Sequence, residues 1–171
     1  QVIAAYGVLL AGTAYLPLDS NAPAARRDRV LHSAQVRHVL GCSQALPEVP
    51  PNPVLDQDTG AVTVGSGTSY AVLAAWLEER GRALANLASL PHISIAGATA
   101  TGTHGSGVGN GCLTTSVAGF TYVTGAGAVA QLARGDEAFA AAAVGLGAFG
   151  VITRMTLDTE PTFSLRQDVY G

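Results

Sequence analysis

"SLPHISIAGATATGTHGSGVGNG" (residues 89–111) is crowded with glycine and small residues, has no lysine and no acidic residue, and places a Thr-His pair, Thr103 and His104, at its centre. Glycine lets backbone N–H groups come close to a ligand with no Cβ in the way, which suits a phosphate-type group. The same composition is also that of an ordinary loop-rich turn, and composition alone leaves the two readings open. What surrounds the stretch bears on the choice.

Upstream, "AVTVGSG" (61–67) reads as a strand, with Thr68 or Ser69 as cap for a helix over 70–81. In that helix Tyr70, Leu73, Trp76 and Leu77 share one face, Glu78, Glu79 and Arg80 lie opposite, and Gly81 is the stop. Downstream, two apolar runs within 117–133 flank Gly125-Ala126-Gly127, a hairpin pattern. A helix over 136–147 with Asp136 as its cap is expected next. Then "GVITRMTLDTEPTF" (150–163) forms a strand with Val151, Thr153, Met155 and Leu157 on one face. Strands and helices in this order predict an α+β fold for this part of the chain.

The N-terminal part has a different texture. Residues 3–12 predict a helix ending at Gly12, 13–19 a strand, 21–36 a helix capped by Asn21 with Pro23 in its first turn, and 37–41 a short strand. That alternation is the rhythm of a parallel α/β segment. "ALPEVPPNPVLDQDTG" (45–60) then packs in four prolines and a turn-forming Asp-Thr-Gly. The expected organisation is a short α/β segment over 1–45, a Pro-rich linker over 46–53, and an α+β domain over 54–171.

Composition excludes several classes. The 171 residues are 48% hydrophobic and 12% charged, as in folded globular proteins. Net charge is −3 and no basic run exceeds Arg26-Arg27, so neither nucleic acid nor an anionic membrane is an expected partner. The apolar run over 138–144 is too short to span a bilayer, and with no cleavable leader recognised the expected location is cytoplasmic. Cys42 and Cys112 lack metal-ligand spacing and are read as packed thiols; no metal site is expected.

Three motifs carry a resemblance. Residues 90–107, "LPHISIAGATATGTHGSG", 145–154, "GLGAFGVITR", and 160–170, "EPTFSLRQDVY", follow one another as in the FAD-binding (PCMH-type) domain of the vanillyl-alcohol-oxidase-type flavoproteins, and are most similar to the bacterial alditol (xylitol or sorbitol) oxidases. The resemblance implies FAD as cofactor and a small polyol as substrate, oxidised to a carbonyl compound while dioxygen becomes hydrogen peroxide. It implies that Ser94, Gly97, Thr99, Gly102, Thr103, His104 and Gly105 line the FAD, with Ser94 nearest the isoalloxazine and the alditol as the catalytic hydroxyl, and that Val151 and Ile152 touch the cofactor through main chain. The chemistry fits, because a run such as 102–105 can offer successive N–H groups, the Thr103 hydroxyl and an imidazole donor to a pyrophosphate. The plainer alternatives are Ser94 as a helix cap, His104 as a turn histidine bonded locally, and Gly97 and Gly105 as positive-φ positions. His92 is read as structural, and His32 and His38 as surface residues.

A second resemblance covers residues 2–50, "GVLLAGTAYLPLDSNAPAARRDRVLHSAQVRHVL" (7–40) being similar to an early segment of nonribosomal peptide synthetase adenylation domains. The later adenylation motifs and any lysine are missing. The flavoprotein resemblance implies a histidine upstream that carries FAD covalently, and no histidine lies between 39 and 91 to take that role. It also implies a C-terminal substrate domain, which is not expected within these residues. The expectation is an FAD-dependent oxidoreductase fragment of alditol oxidase type, inactive as the isolated chain. The alternatives are a non-catalytic chimeric fragment or the remnant of an adenylate-forming module.

Overall fold

The computed structural model of the chain describes residues 25, 50, 52–124, 127–166 and 168–169. The elements expected within 1–45, with Cys42, His32 and His38, lie outside the described residues apart from Ala25, which is helical. Of the stretch 46–53, Pro50, Asn52 and Pro53 are described and none is helical.

Seven strands and three helices follow. β1 (Val54–Leu55) turns back through an Asp56-centred turn, whose carboxylate accepts the N–H groups of Asp58 and Thr59, into β2 (Val62–Gly65). Those two bonds, Thr59 foremost, hold the Asp56 carboxyl below the usual carboxylate range. α1 (Tyr70–Glu78) starts on Ser69, whose hydroxyl accepts the Val72 N–H, so Ser69 and not Thr68 is the cap. β3 (Arg82–Ala83) precedes α2 (Ile95–Ala100), a 3₁₀ turn (Leu113–Ser116), β4 (Val117–Val123) and β5 (Val129–Ala133). α3 (Phe139–Ala143), β6 (Val151–Leu157) and β7 (Glu160–Pro161) complete the order.

Five strands form one antiparallel sheet in the order β1-β2-β6-β4-β5, and β3 pairs with β7 in a small ribbon. The hairpin around residue 127 holds, with Val123 opposite Val129. One sheet face is apolar: Val62, Val64, Met155, Leu157 and Val117 are fully buried, with Leu73 and Leu77 of α1 and Ile95 of α2 in the same cluster. On β6, Thr153, Met155 and Leu157 are buried as the alternation predicts, while Val151 is half-buried. Thr63 and Thr156, register partners in β2 and β6, bond across the strands at 3.0 Å. An α+β fold is what the pattern predicts and what forms.

Two expectations fail locally. Asp136 does not cap α3; its carboxylate accepts the Ala133 N–H at 2.7 Å, closing the turn after β5, and α3 begins at Phe139 with no side-chain cap. The turn is nearer, so it takes the acceptor. Trp76 is half-buried and packs against the core from the expected helix face, with the Arg80 guanidinium 3.8 Å from its ring centroid. Cys112 is half-buried and is not a fully packed thiol.

Two residues expose what the packing tolerates. Tyr70 is 1% exposed, and among the described residues its hydroxyl has no partner. Burial, and next the charge of Cys112, push its pKa to about 12 from 10.0. The folded state therefore keeps a proton that the unfolded chain loses near its ordinary pKa, so stability is full below about pH 10 and falls as pH rises to about 12. Tyr70→Phe is expected to raise stability by about 1 kcal/mol at neutral pH and to flatten that alkaline decline, measured by urea unfolding at several pH values. Gly150 has φ +138°, and a Cβ there would collide with the Val123 carbonyl. Gly150→Ala is expected to cost about 2 kcal/mol or more, read from the same unfolding curves.

Candidate functional site

The stretch 89–111 is not a loop throughout. Ser94 has extended backbone and its hydroxyl oxygen accepts the Gly97 N–H at 3.2 Å, starting the six-residue α2. The cap alternative for Ser94 is therefore realised, and its hydroxyl proton stays free for donation to another group. Ser94 also forms an antiparallel bridge with Ser69, the cap of α1, so two helix starts lie side by side.

Thr99 stands differently from its expected place. It is fully buried, and its hydroxyl bonds the Ile95 and Ala96 carbonyls and lies 3.8 Å from the Met155 sulfur. Its own carbonyl accepts the Thr114 hydroxyl at 2.8 Å. The side chain reaches β6, the carbonyl ties α2 to the 3₁₀ turn, and the side chain does not line an open surface.

The expected run of N–H donors shifts along the chain. Gly102 N–H donates to the Thr99 carbonyl and Thr103 N–H to the Ala98 carbonyl, so both are spent on ending α2. From residue 104 to residue 109 no backbone N–H has a partner among the described residues. All six residues are exposed. Gly105 and Gly109 carry no positive φ, and a Cβ on either would meet nothing within 4 Å. The positive-φ alternative thus fails at Gly105, and at Gly97 as well; only Gly102, at φ +62°, is left-handed here. The segment is closed at its base, since Leu113 N–H donates to the Thr103 carbonyl at 2.8 Å.

His104 is exposed, with Nδ1 3.0 Å from the Gly105 carbonyl. A carbonyl only accepts, so Nδ1 carries the proton, and a neutral ring then has an acceptor alone at Nε2. An imidazole donor to an anion is available only in the protonated ring. The Thr103 hydroxyl is half-buried and lies 3.1 Å from that of Thr101. His92 is exposed at the turn before Ser94, so its structural reading has no packing behind it.

The second motif meets the first. Leu146 N–H reaches the Ala100 carbonyl at 3.3 Å, and a Cβ on Gly102 would lie 3.4 Å from Val144. Val151 and Ile152 pair with Val123 and Tyr122 of β4, while the β2 ladder stops at Gly65 opposite Arg154. Strand β2 thus leaves their other edge uncovered. The third motif begins at β7; 162–166 has no regular secondary structure and is exposed.

Compared with known proteins, residues 52–133 match a family described as FAD binding domain. Residues 52–133 are thus similar to an FAD-binding domain. The cholesterol oxidase of Brevibacterium sterolicum, in a variant form, has a similar fold with TM-score 0.58 and 25% identity, over 64% of this chain and 23% of that one. An alditol oxidase of a Streptomyces species is 50% identical over 117 residues, 67% of this chain and 28% of the relative. An L-gulono-1,4-lactone dehydrogenase of Mycobacterium tuberculosis is 42% identical over 113 residues, covering 66% and 26%. The L-gulonolactone oxidase of Bos taurus is 36% identical over 118 residues, covering 68% and 27%. The chain spans roughly a quarter of the length of these relatives. The peptide synthetase resemblance of residues 2–50 lies outside both the matched and the described residues, Ala25 and Pro50 aside.

The residues of the matched segment have a donor set that suits such a cofactor: six adjacent N–H groups without partners among the described residues, mostly small side chains, and no carboxylate in the run 104–109. No group of three or more metal-ligating side chains occurs among the described residues. Nor is any described helix long and apolar enough to cross a membrane.

Ser94→Ala separates capping from chemistry. Loss of the bond to Gly97 is expected to cost about 1 kcal/mol of stability, with the fold retained, checked by thermal unfolding followed by circular dichroism.

Proposed function

We propose that this chain is a segment of an FAD-dependent oxidoreductase of the alditol oxidase type, acting on the hydroxyl carbon of a small polyol. The observation that carries this reading is the closed, exposed loop 104–109 with every backbone N–H unpaired, since six donors facing solvent are matched to the oxygens of a dinucleotide pyrophosphate. When bound, FAD would supply a two-electron acceptor that dioxygen reoxidises, giving hydrogen peroxide.

In this reading the residues divide the work. The N–H groups of His104 and Gly105, with those of the four residues that follow, hold the phosphates. Gly97 and Gly102 leave room beside α2, and the Thr103 hydroxyl adds a donor at the loop base. Val151 and Ile152 offer main chain at the uncovered edge of β6. Ser94 gives one hydroxyl proton to the substrate oxygen and serves as the catalytic hydroxyl; Thr99 holds α2 in place from beneath. The substrate class is a polyol, supported by the identity to an alditol oxidase, with sugar lactones as the neighbouring class among the relatives.

Binding and turnover are tested separately. The purified chain mixed with FAD is expected to retain flavin absorbance after gel filtration, and Gly105→Asp, whose Cβ meets no atoms within 4 Å, is expected to weaken FAD about tenfold or more with unfolding unchanged. A Gly105→Asp chain that holds FAD as well as the unsubstituted one would remove the loop from the site. Turnover needs a base to accept the alcohol proton and groups to position the carbon, each typically worth factors of about a hundred. Ser94 is a donor and no base, so the chain with FAD and xylitol is expected to release no hydrogen peroxide above free flavin. Peroxide production that Ser94→Ala abolishes would overturn that expectation.

A further inference from the structure

The loop that leaves six N–H groups unpaired among the described residues is anchored at several points. At its N-terminal end the hold comes from α2, through Thr103 N–H on the Ala98 carbonyl at 3.0 Å. At the base, Leu113 N–H donates to the Thr103 carbonyl. Within the loop, Asn110 N–H closes a turn on the Gly107 carbonyl at 3.1 Å. The returning arm is held by Thr115 Oγ1 on the Cys112 carbonyl and, from a part of the chain distant in sequence, by Asn86 Nδ2, which donates to the Gly111 carbonyl at 2.9 Å. Asn86 is half-buried and sits after β3 and the buried Leu84, a part of the chain that carries none of the motifs.

We propose that Asn86 is a positioning residue for the phosphate-binding loop, fixing the returning arm at Gly111 so that the N–H groups of residues 104–109 converge on one anionic group. The assignment rests on the FAD reading for the identity of that group. Asn86 does not touch the phosphates; it acts through the Gly111 carbonyl. A carboxylate in its place keeps the shape and loses the donor, so Asn86→Asp sets one carbonyl against one carboxylate. Asn86→Gln keeps the amide.

The test uses the whole 171-residue chain and has two readouts. FAD binding is followed by quenching of flavin fluorescence, and hydrogen exchange at the Leu113 amide is followed in the chain without FAD. Asn86→Asp and Asn86→Ala are expected to weaken FAD about three- to tenfold and to speed Leu113 exchange, as loss of one hydrogen bond implies, while Asn86→Gln stays within about twofold of the unsubstituted chain. Exchange at core amides such as Met155 is expected to stay unchanged, which separates loop release from unfolding. FAD binding by the unsubstituted chain that neither Asn86→Asp nor Asn86→Ala weakens overturns the role of Asn86 and leaves the flavin reading intact. Unchanged Leu113 exchange in both variants overturns it equally. An unsubstituted chain that binds no FAD overturns the flavin reading, and the proposal for Asn86 with it.

Discussion

The main chain of Ser66 joins the two halves of the site. Its N–H donates to the Thr153 carbonyl on β6 at 3.0 Å, and its carbonyl accepts the Ala96 N–H of α2 at 3.1 Å. One residue past the end of β2 thus sets the height of α2 above the sheet and continues the β2–β6 ladder by one bond. Thr99 repeats the tie from the other side of α2 through Met155. With α2 held at both points, the chain leaves it at Gly102 in a fixed direction, and the loop 104–109 starts from a fixed base. The site has little side-chain chemistry of its own; its order comes from this backbone clamp.

The two glycine-rich motifs have different physical reasons. In the first, Gly105 and Gly109 are in ordinary backbone conformations with open space around them, and in the proposed FAD site the absence of a side chain would serve the approaching group. In the second, the chain must turn from α3 into β6 within a few residues. Leu146 and Gly147 are both left-handed, at φ +50° and +80°. A leucine in that region costs about 1–2 kcal/mol. Its N–H bond to the Ala100 carbonyl and the tight approach of Gly150 to β4 fix the geometry that demands it. The glycines of 145–150 therefore answer the turn, Gly107 answers the close approach of Asn110, and Gly105 and Gly109 answer no packing or backbone demand.

Much of this was legible in the sequence where a local rule had no competitor. A cap at Thr68 or Ser69, the 117–133 hairpin and the buried face of β6 follow from spacing alone, because each depends on neighbours two to four residues away. The misses occur where a second partner competes. Asp136 is a good cap by type, but the Ala133 N–H lies closer. Thr99 belongs to a motif that promises ligand contact, yet its position on α2 turns it toward Met155.

Donor accounting explains the remaining gap. Sequence reading placed the anion-binding run at 102–105, where the motif is most distinctive. Ending a helix consumes N–H groups from the residues that follow it, and α2 takes those of Gly102 and Thr103. The available run must begin after them, so it falls on residues 104–109, and its span is limited at the far end by Asn110 and Leu113, whose N–H groups are bonded in turn. A six-residue helix ahead of the loop thus determines which residues can serve a phosphate, and no pattern of glycines reveals where that helix stops. The same accounting shows why Asn86 escapes a motif search: its contribution is one bond to a carbonyl on the returning arm, and it carries no mark in its own neighbourhood.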